Sequence, residues 1–216
     1  MNGKAVIFDL DGTLLDTLED IALSMNSVLS GAGFPSHPVV AYRGFIGEGI
    51  TTLARRVLPE GRRDERTVEQ MVAGMLTEYG KHWADHTRPY PGIPEVLDVL
   101  TRRGIRMAVL SNKMDRFTKE IIATLLKEWE FAEVIGAQTA LPPKPDPAGA
   151  RLIARTLGIR EEEFVYLGDS NIDMLTAVHA GMFPVGALWG FQSADELRAA
   201  GARVLIQEPE ELLQLI

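Results

Sequence analysis

The run Ala5-Val6-Ile7-Phe8 is apolar at every position and does not alternate. A strand with one wet face would be polar at every second residue, so this run predicts a strand buried on both faces, as in a parallel sheet covered by helices. It stops at Asp9-Leu10-Asp11-Gly12-Thr13, which places two carboxylates just beyond its carboxyl end. The design recurs: residues 106–110 run into Ser111-Asn112, and residues 164–167 into Gly168-Asp169-Ser170. Further strands are expected at 133–135, 184–188 and 203–206. Helical spacing lies between them, at 94–103 (Val96, Leu97, Val99, Leu100, then Gly104) and at 147–157 (Ala150, Ile153, Ala154, Leu157, then Gly158). Strands alternating with helices of about three turns predict an α/β fold with a doubly wound, mostly parallel sheet. Ligands of such sheets bind outside the carboxyl ends of the strands, where the polar residues just named fall.

One stretch breaks the alternation. Leu18, Ala22, Met25 and Leu29 share one helical face, and residues 39–46, 50–58 and 65–83 also read as helical, with no convincing strand. The turn cluster Pro89-Tyr90-Pro91-Gly92 marks the return of the sheet pattern. The expected organisation is a core of residues 1–16 and 89–216 with an inserted α-helical cap at 17–88.

Composition bounds the function. Of 216 residues 46% are hydrophobic, enough for a substantial core, and the chain has no cysteine. That removes thiolate nucleophiles, thiolate metal sites and disulfides, and fits a reducing compartment. The formal charge of −8 argues against nonspecific binding to nucleic acid. No apolar stretch is long enough to span a membrane, and the apolar start before Asp9 is too short for a signal peptide. A cytoplasmic protein, a monomer or weak homodimer, is expected.

The chemistry-bearing residues fall in four places: Asp9-x-Asp11-Gly12-Thr13, Ser111-Asn112, Lys144-Pro-Asp-Pro147, and Gly168-Asp169-Ser170-Asn-Ile-Asp173. Carboxylates, a hydroxyl and one ammonium suit a phosphate held against a hard divalent cation. At its unperturbed value an aspartate is ionised at neutral pH, so Asp9 is expected to attack phosphorus without an activating base. A phosphate among carboxylates is repelled by about 4 kcal/mol for each unit pair at ~4 Å and an effective dielectric near 20. Mg²⁺ on Asp9, Asp169 and the Asp11 carbonyl, with Lys144 as a third positive charge, offsets that repulsion. Ser111 and backbone N–H groups are expected on the remaining phosphoryl oxygens. If Asp11, two residues from Asp9, points at the leaving oxygen, it can protonate that oxygen and then take a proton from water. Gly12 permits a sharp turn and close approach of the phosphate, and Thr13 bonds within that turn. Asn112, beside Ser111, is a candidate phosphate contact, and Asn112 and Lys113 read as positioning residues rather than catalysts.

These motifs, in this order and at these separations, resemble the haloacid dehalogenase superfamily of aspartate-nucleophile phosphohydrolases, and within it the phosphoglycolate phosphatase group. The likeness runs from Val6-Ile-Phe-Asp-Leu-Asp-Gly-Thr-Leu-Leu-Asp-Thr17 through the helical insertion to Ala180-Gly-Met182 and Trp189-Gly190. It implies a Rossmann-like core, Asp9 as nucleophile, Asp11 as acid/base, and Asp9, Asp11 and Asp169 as Mg²⁺ ligands. Asp173 and Ser170 would then stand behind them, Asp173 orienting Lys144 or a metal-bound water. The expected substrate is a small phosphomonoester, 2-phosphoglycolate first.

The same skeleton serves pyrophosphatases, nucleotidases and phosphomutases of the β-phosphoglucomutase type. The presence of Asp11 argues against a dehalogenase. The only lysine of the insertion, Lys81, lies near its end, which disfavours the phosphonate-cleaving branch. A phospho-aspartate switch and an inactive binding protein remain as non-enzyme alternatives, against which the large insertion and the intact motifs count. In the insertion, residues 43–49 fail as a dinucleotide fingerprint for want of a preceding strand and the right glycine spacing. Arg43 and Gly47 are instead candidate substrate contacts. His82 and His86, four apart, form a metal pair only if a third ligand exists, and the sequence shows none.

Overall fold

The computed structural model describes residues 3–216. Its chain divides into two compact units, one running up to Leu15 and again from Pro89 to Ile216, the other Asp16–Arg88.

The first unit is built on a six-stranded, wholly parallel sheet in the order β5-β4-β1-β6-β7-β8. Its strands are β1 (Ala5–Phe8), β4 (Arg106–Met114), β5 (Glu133–Ala137), β6 (Phe164–Gly168), β7 (Phe183–Ala187) and β8 (Val204–Ile206). The unalternating run is β1, and all four of its residues are fully buried between β4 and β6. One sheet face carries Ala5, Ile7, Ala108, Leu110, Phe164 and Tyr166, covered by α6 (Ala148–Leu157) and α7 (Asn171–Ala180). Helices α4 (Ile93–Arg102), α5 (Asp115–Leu125) and α8 (Ala194–Ala199) complete this unit. Because the chain builds outward from β1 to β4 and β5, then returns to β6 on the other side of β1, the strand order reverses there. The carboxyl ends of β1, β4 and β6 therefore border the crevice that doubly wound sheets use for ligands.

β4 runs past the expected end at Leu110 to Met114. Its register with β5 shifts between Leu110 and Met114, so Ser111, Asn112 and Lys113 lie in an irregular stretch of strand rather than in a loop. Such irregularities re-aim side chains beside functional sites.

The second unit is helical: α1 (Leu18–Gly31), α2 (Ile50–Val57) and α3 (Glu65–His82). Ile21, Ala22, Met25 and Leu29 of α1 are buried, as are Val68, Met71, Met75 and Tyr79 of α3. The expected helix at 39–46 is instead a 3-10 segment, Val39–Gly44. Gly47 and Gly49 take positive φ (118° and 84°) just beyond it, a conformation that cannot continue a helix. Short strands β2 (Leu15–Asp16) and β3 (Arg88–Pro89) pair where the chain passes between the units. β3 is too short, two residues, to leave an alternation in the sequence. No helix among the described residues is long and apolar enough to cross a membrane. His82 and His86 do not converge: His82 pairs with Asp85 and His86 with Asp20, each at 2.8 Å.

Asp20 organises the start of α1. It is 2% exposed, and its carboxylate accepts the His86 and Thr87 backbone N–H groups, the Thr87 hydroxyl at 2.7 Å and the His86 ring at 2.8 Å. Burial alone would raise this carboxyl, but the bonds from Thr87 and His86 outweigh burial and hold it below the ordinary aspartate value. Its contribution to stability is therefore present above the ordinary carboxyl range and lost as pH falls through the lowered value. Asp20→Ala strands these donors and is expected to cost about 3 kcal/mol. Urea unfolding at neutral pH measures it, and a cost under about 0.5 kcal/mol, the level of an ordinary surface change, would show that these bonds do not hold the unit together.

Candidate active site

Asp9 follows the last residue of β1, and its N–H bonds to the Leu167 carbonyl at 2.9 Å, which extends the β1–β6 pairing by one residue. The chain then curls: the Leu10 carbonyl accepts the N–H groups of Thr13, Leu14 and Leu15, while the Gly12 N–H bonds to the Leu15 carbonyl. Gly12 has φ 84°, and a Cβ there would stand 2.3 Å from Asp169 Oδ2. Glycine is required at this position both for its backbone angle and for the approach of Asp169.

Residues from distant segments meet this turn. Asp169, at the end of β6, is 1% exposed, accepts the Thr13 hydroxyl on Oδ1 at 3.1 Å and accepts the Phe191 N–H on Oδ2 at 2.7 Å. Asp173, fully buried in the first turn of α7, closes a capping box with Ser170, whose N–H and hydroxyl both reach Asp173 Oδ2. Its other oxygen accepts the Lys144 ammonium at 2.7 Å. Lys144, 6% exposed, gives a second bond of 2.7 Å to Asp9 Oδ1. Asn112 fixes that lysine from behind: its carbonyl oxygen accepts the Lys144 N–H at 2.9 Å and its NH₂ donates to the Lys144 carbonyl at 3.0 Å. The amide thus grips the Lys144 backbone through both of its polar atoms.

Ser111 is buried at the end of the regular part of β4, where its hydroxyl accepts the Lys113 N–H at 3.2 Å. Asp11 is part of the same turn, but its carboxylate pairs with Lys113, through both oxygens at 2.8 and 3.0 Å. Arg43 and Gly47 belong to the second unit, Arg43 exposed at the end of the 3-10 segment and Gly47 in the connection to α2.

The sequence marks Lys113 as a positioning residue and Trp189-Gly190 as part of the likeness, but specifies the partners of neither. The Trp189 indole donates to the Thr13 carbonyl at 3.0 Å. A Cβ on Gly190 would fall 2.2 Å from Asp169 Cβ, so this loop lies directly against the acidic turn.

Carboxylate oxygens of Asp9, Asp169 and Asp173 lie within 4.8 Å of one another, all three residues buried. Burial first, and then the Asp173 charge, push the Asp9 carboxyl up to about 7, with Lys144 pulling it back. Burial and the charges of Asp9 and Asp173 raise Asp169 well above the ordinary range. Burial also opposes the charge on Lys144, but Asp173 and Asp9 outweigh it and hold the ammonium well above the ordinary lysine value. The expectation that Asp9 is fully ionised at neutral pH without help therefore needs correcting: the sequence supplies the unperturbed value, and dehydration among like charges shifts it. With all three carboxylates ionised, one ammonium leaves two negative charges uncompensated, and the donors are hard oxygens. A small divalent cation such as Mg²⁺ fits both the charge and the donor chemistry.

Residues 6–187 match the haloacid dehalogenase-like hydrolase family. The chain belongs to that family. It is 30% identical over 213 residues to phosphoglycolate phosphatase 1 of Pseudomonas aeruginosa, covering 97% of this chain and 78% of the relative. It is 34% identical over 192 residues to the phosphoglycolate phosphatase of Neisseria meningitidis, covering 87% and 81%. Its fold is similar to a crystal structure from Lactobacillus delbrueckii subsp. bulgaricus at TM-score 0.94 and 28% identity, covering 100% and 99%. A predicted phosphoglycolate phosphatase from Haemophilus somnus matches at TM-score 0.92 and 26% identity, covering 100% and 98%. The protein is a phosphatase of the haloacid dehalogenase type, in a phosphoglycolate phosphatase-like group.

A carboxyl raised on folding binds its proton more tightly in the folded chain than in the unfolded one. Its stabilising contribution is present below the ordinary carboxyl range and is lost as pH rises through about 7. The Tm of the metal-free protein is expected to fall between about pH 5 and about pH 8, and millimolar Mg²⁺ to restore it chiefly at the higher pH. A Tm gain from Mg²⁺ that is the same at both ends, read by scanning fluorimetry, would contradict this electrostatic account.

Proposed function

We propose that the protein hydrolyses a small phosphomonoester, 2-phosphoglycolate first, through an aspartyl-phosphate on Asp9, with Asp16–Arg88 as its substrate-selecting cap. The observation that carries the reading is one ammonium, Lys144, bonded at 2.7 Å both to the Asp9 carboxylate and to Asp173, inside a buried acidic cluster. The substrate choice rests on the relatives named above. A cytoplasmic enzyme, monomeric or weakly dimeric, is the companion reading.

Asp9 and Asp169, with the Asp11 carbonyl, would hold Mg²⁺, which supplies counter-charge to the phosphoryl oxygens. Asp9 Oδ2, the oxygen not bonded to Lys144, attacks phosphorus as the bond to the ester oxygen breaks. Asp11 in its acid form gives its proton to that oxygen, which leaves as the alcohol. Lys144 stays on Asp9 Oδ1 and neutralises charge that would otherwise repel the phosphate. Ser111 and backbone N–H groups bind phosphoryl oxygens. Asp11, now a carboxylate, takes a proton from water as the water oxygen attacks the aspartyl-phosphate. Inorganic phosphate is released, and the Asp9 carboxylate and the Asp11 acid are restored. Asp173 and Asn112 hold Lys144 by head and backbone throughout.

A phosphate-release screen with Mg²⁺ over 2-phosphoglycolate, pyrophosphate, hexose phosphates and nucleotides is expected to give the highest kcat/KM for 2-phosphoglycolate. A dominant nucleotide overturns the substrate, and isomerisation of a hexose phosphate without phosphate release overturns hydrolysis in favour of a mutase. Asp9→Asn is expected to lower turnover at least about a thousandfold while keeping the native circular dichroism spectrum.

A further inference from the structure

The acidic turn carries two aspartates, and each has its own lysine. Asp9 has Lys144, whose place is fixed by Asp173 and Asn112. Asp11 has Lys113, from a segment 102 residues away, with the ammonium at 2.8 and 3.0 Å from the two carboxylate oxygens. The Lys113 and Asp11 side chains are only 8% and 12% exposed.

This is not a solvated surface bridge. Placing the ammonium of a long flexible side chain here costs rotamer entropy and hydration, and an apolar pair of similar volume would serve stability as well. The strand is also shaped for it: the register of β4 with β5 shifts between Leu110 and Met114, the stretch that contains Lys113, and the Lys113 N–H is fixed to the Ser111 hydroxyl at 3.2 Å. The result is a carboxylate whose orientation is fixed, with two of its four lone-pair directions taken. A group that transfers a proton to a leaving oxygen loses much of its effect when misplaced by about an ångström.

On the phosphatase reading above, we propose that Lys113 is a positioning residue for Asp11, aiming its carboxyl at the leaving oxygen without itself touching substrate. As the P–O bond breaks, the proton travels from Asp11 to the ester oxygen, and Lys113 remains on the other carboxyl oxygen. The same contact holds Asp11 in place for the return transfer from water.

The consequence is a dependence on the leaving group. An alkoxide must be protonated as it departs, whereas p-nitrophenolate leaves without a proton. We therefore compare kcat/KM, which reports the step up to aspartyl-phosphate formation, for 2-phosphoglycolate and p-nitrophenyl phosphate. Lys113→Met is expected to lower the alkyl ester about a hundredfold and the aryl ester less than about fivefold, the pattern also expected of Asp11→Asn. Lys113→Arg, which can also bond to both oxygens, is expected to recover at least about a tenth of the alkyl activity.

Equal loss on both esters, the pattern of a phosphate-binding or merely structural lysine, overturns the proposal, as does no loss on either. If Lys113→Met fails to fold, Lys113→Gln is read in its place with the same two esters. If the unmodified enzyme hydrolyses neither ester with Mg²⁺, the phosphatase reading fails first, and the Lys113 proposal fails with it.

Discussion

The ammonium of Lys144 is the contact on which the rest of the site depends. It bridges Asp9 and Asp173 at 2.7 Å each, in a place nearly closed to water. A lone buried carboxylate takes up a proton rather than remain charged, and burial and the Asp173 charge push Asp9 the same way. Without Lys144 the cluster would be three like charges in a dry crevice. With it the ionised cluster is short by two positive charges, a deficit that a divalent cation would fill. Much of the surrounding structure keeps that ammonium in place: the Asn112 amide on its backbone, the capping box that fixes Asp173, and the parallel strands that bring residues 9, 112 and 169 to one edge.

The arrangement also separates two tasks that neighbouring aspartates could easily confuse. Asp9 and Asp11 are two residues apart on one tight turn, yet they meet different lysines from different segments. One ammonium lies within the buried cluster and the other spans both oxygens of a partly buried carboxylate. In the proposed reaction this matches the division between nucleophile and proton carrier, a case of environment assigning roles to chemically identical side chains.

Much of this was legible in the sequence, for physical reasons. β1, α4 and α6 announce themselves because burial on both faces, or on one helical stripe, leaves a period in the residues. Asp9 and Asp169 stand out as carboxylates at strand ends with glycine beside them, and Lys144 as a lysine in a proline-rich turn. The 3-10 segment Val39–Gly44 looks like an ordinary helix in the sequence because apolar spacing does not register the backbone angles of Gly47 and Gly49. The extension of β4 through Lys113 leaves no mark in the sequence because a strand irregularity depends on its partner strand, which is a separate segment of the chain. The same is true of Lys113 on Asp11 and Trp189 on Thr13: pairings across 102 and 176 residues exist only once the sheet has formed. The raised Asp9 is a property of burial, which no residue name carries.

The central claim is that Asp9, held by Lys144, becomes covalently phosphorylated. Acid quenching of the enzyme during turnover, borohydride reduction and peptide mass spectrometry test it directly, since reduction converts an aspartyl-phosphate to homoserine. The account predicts homoserine at position 9, dependent on substrate and Mg²⁺. An intact Asp9 in enzyme quenched under steady turnover, or homoserine at any other aspartate, would contradict it.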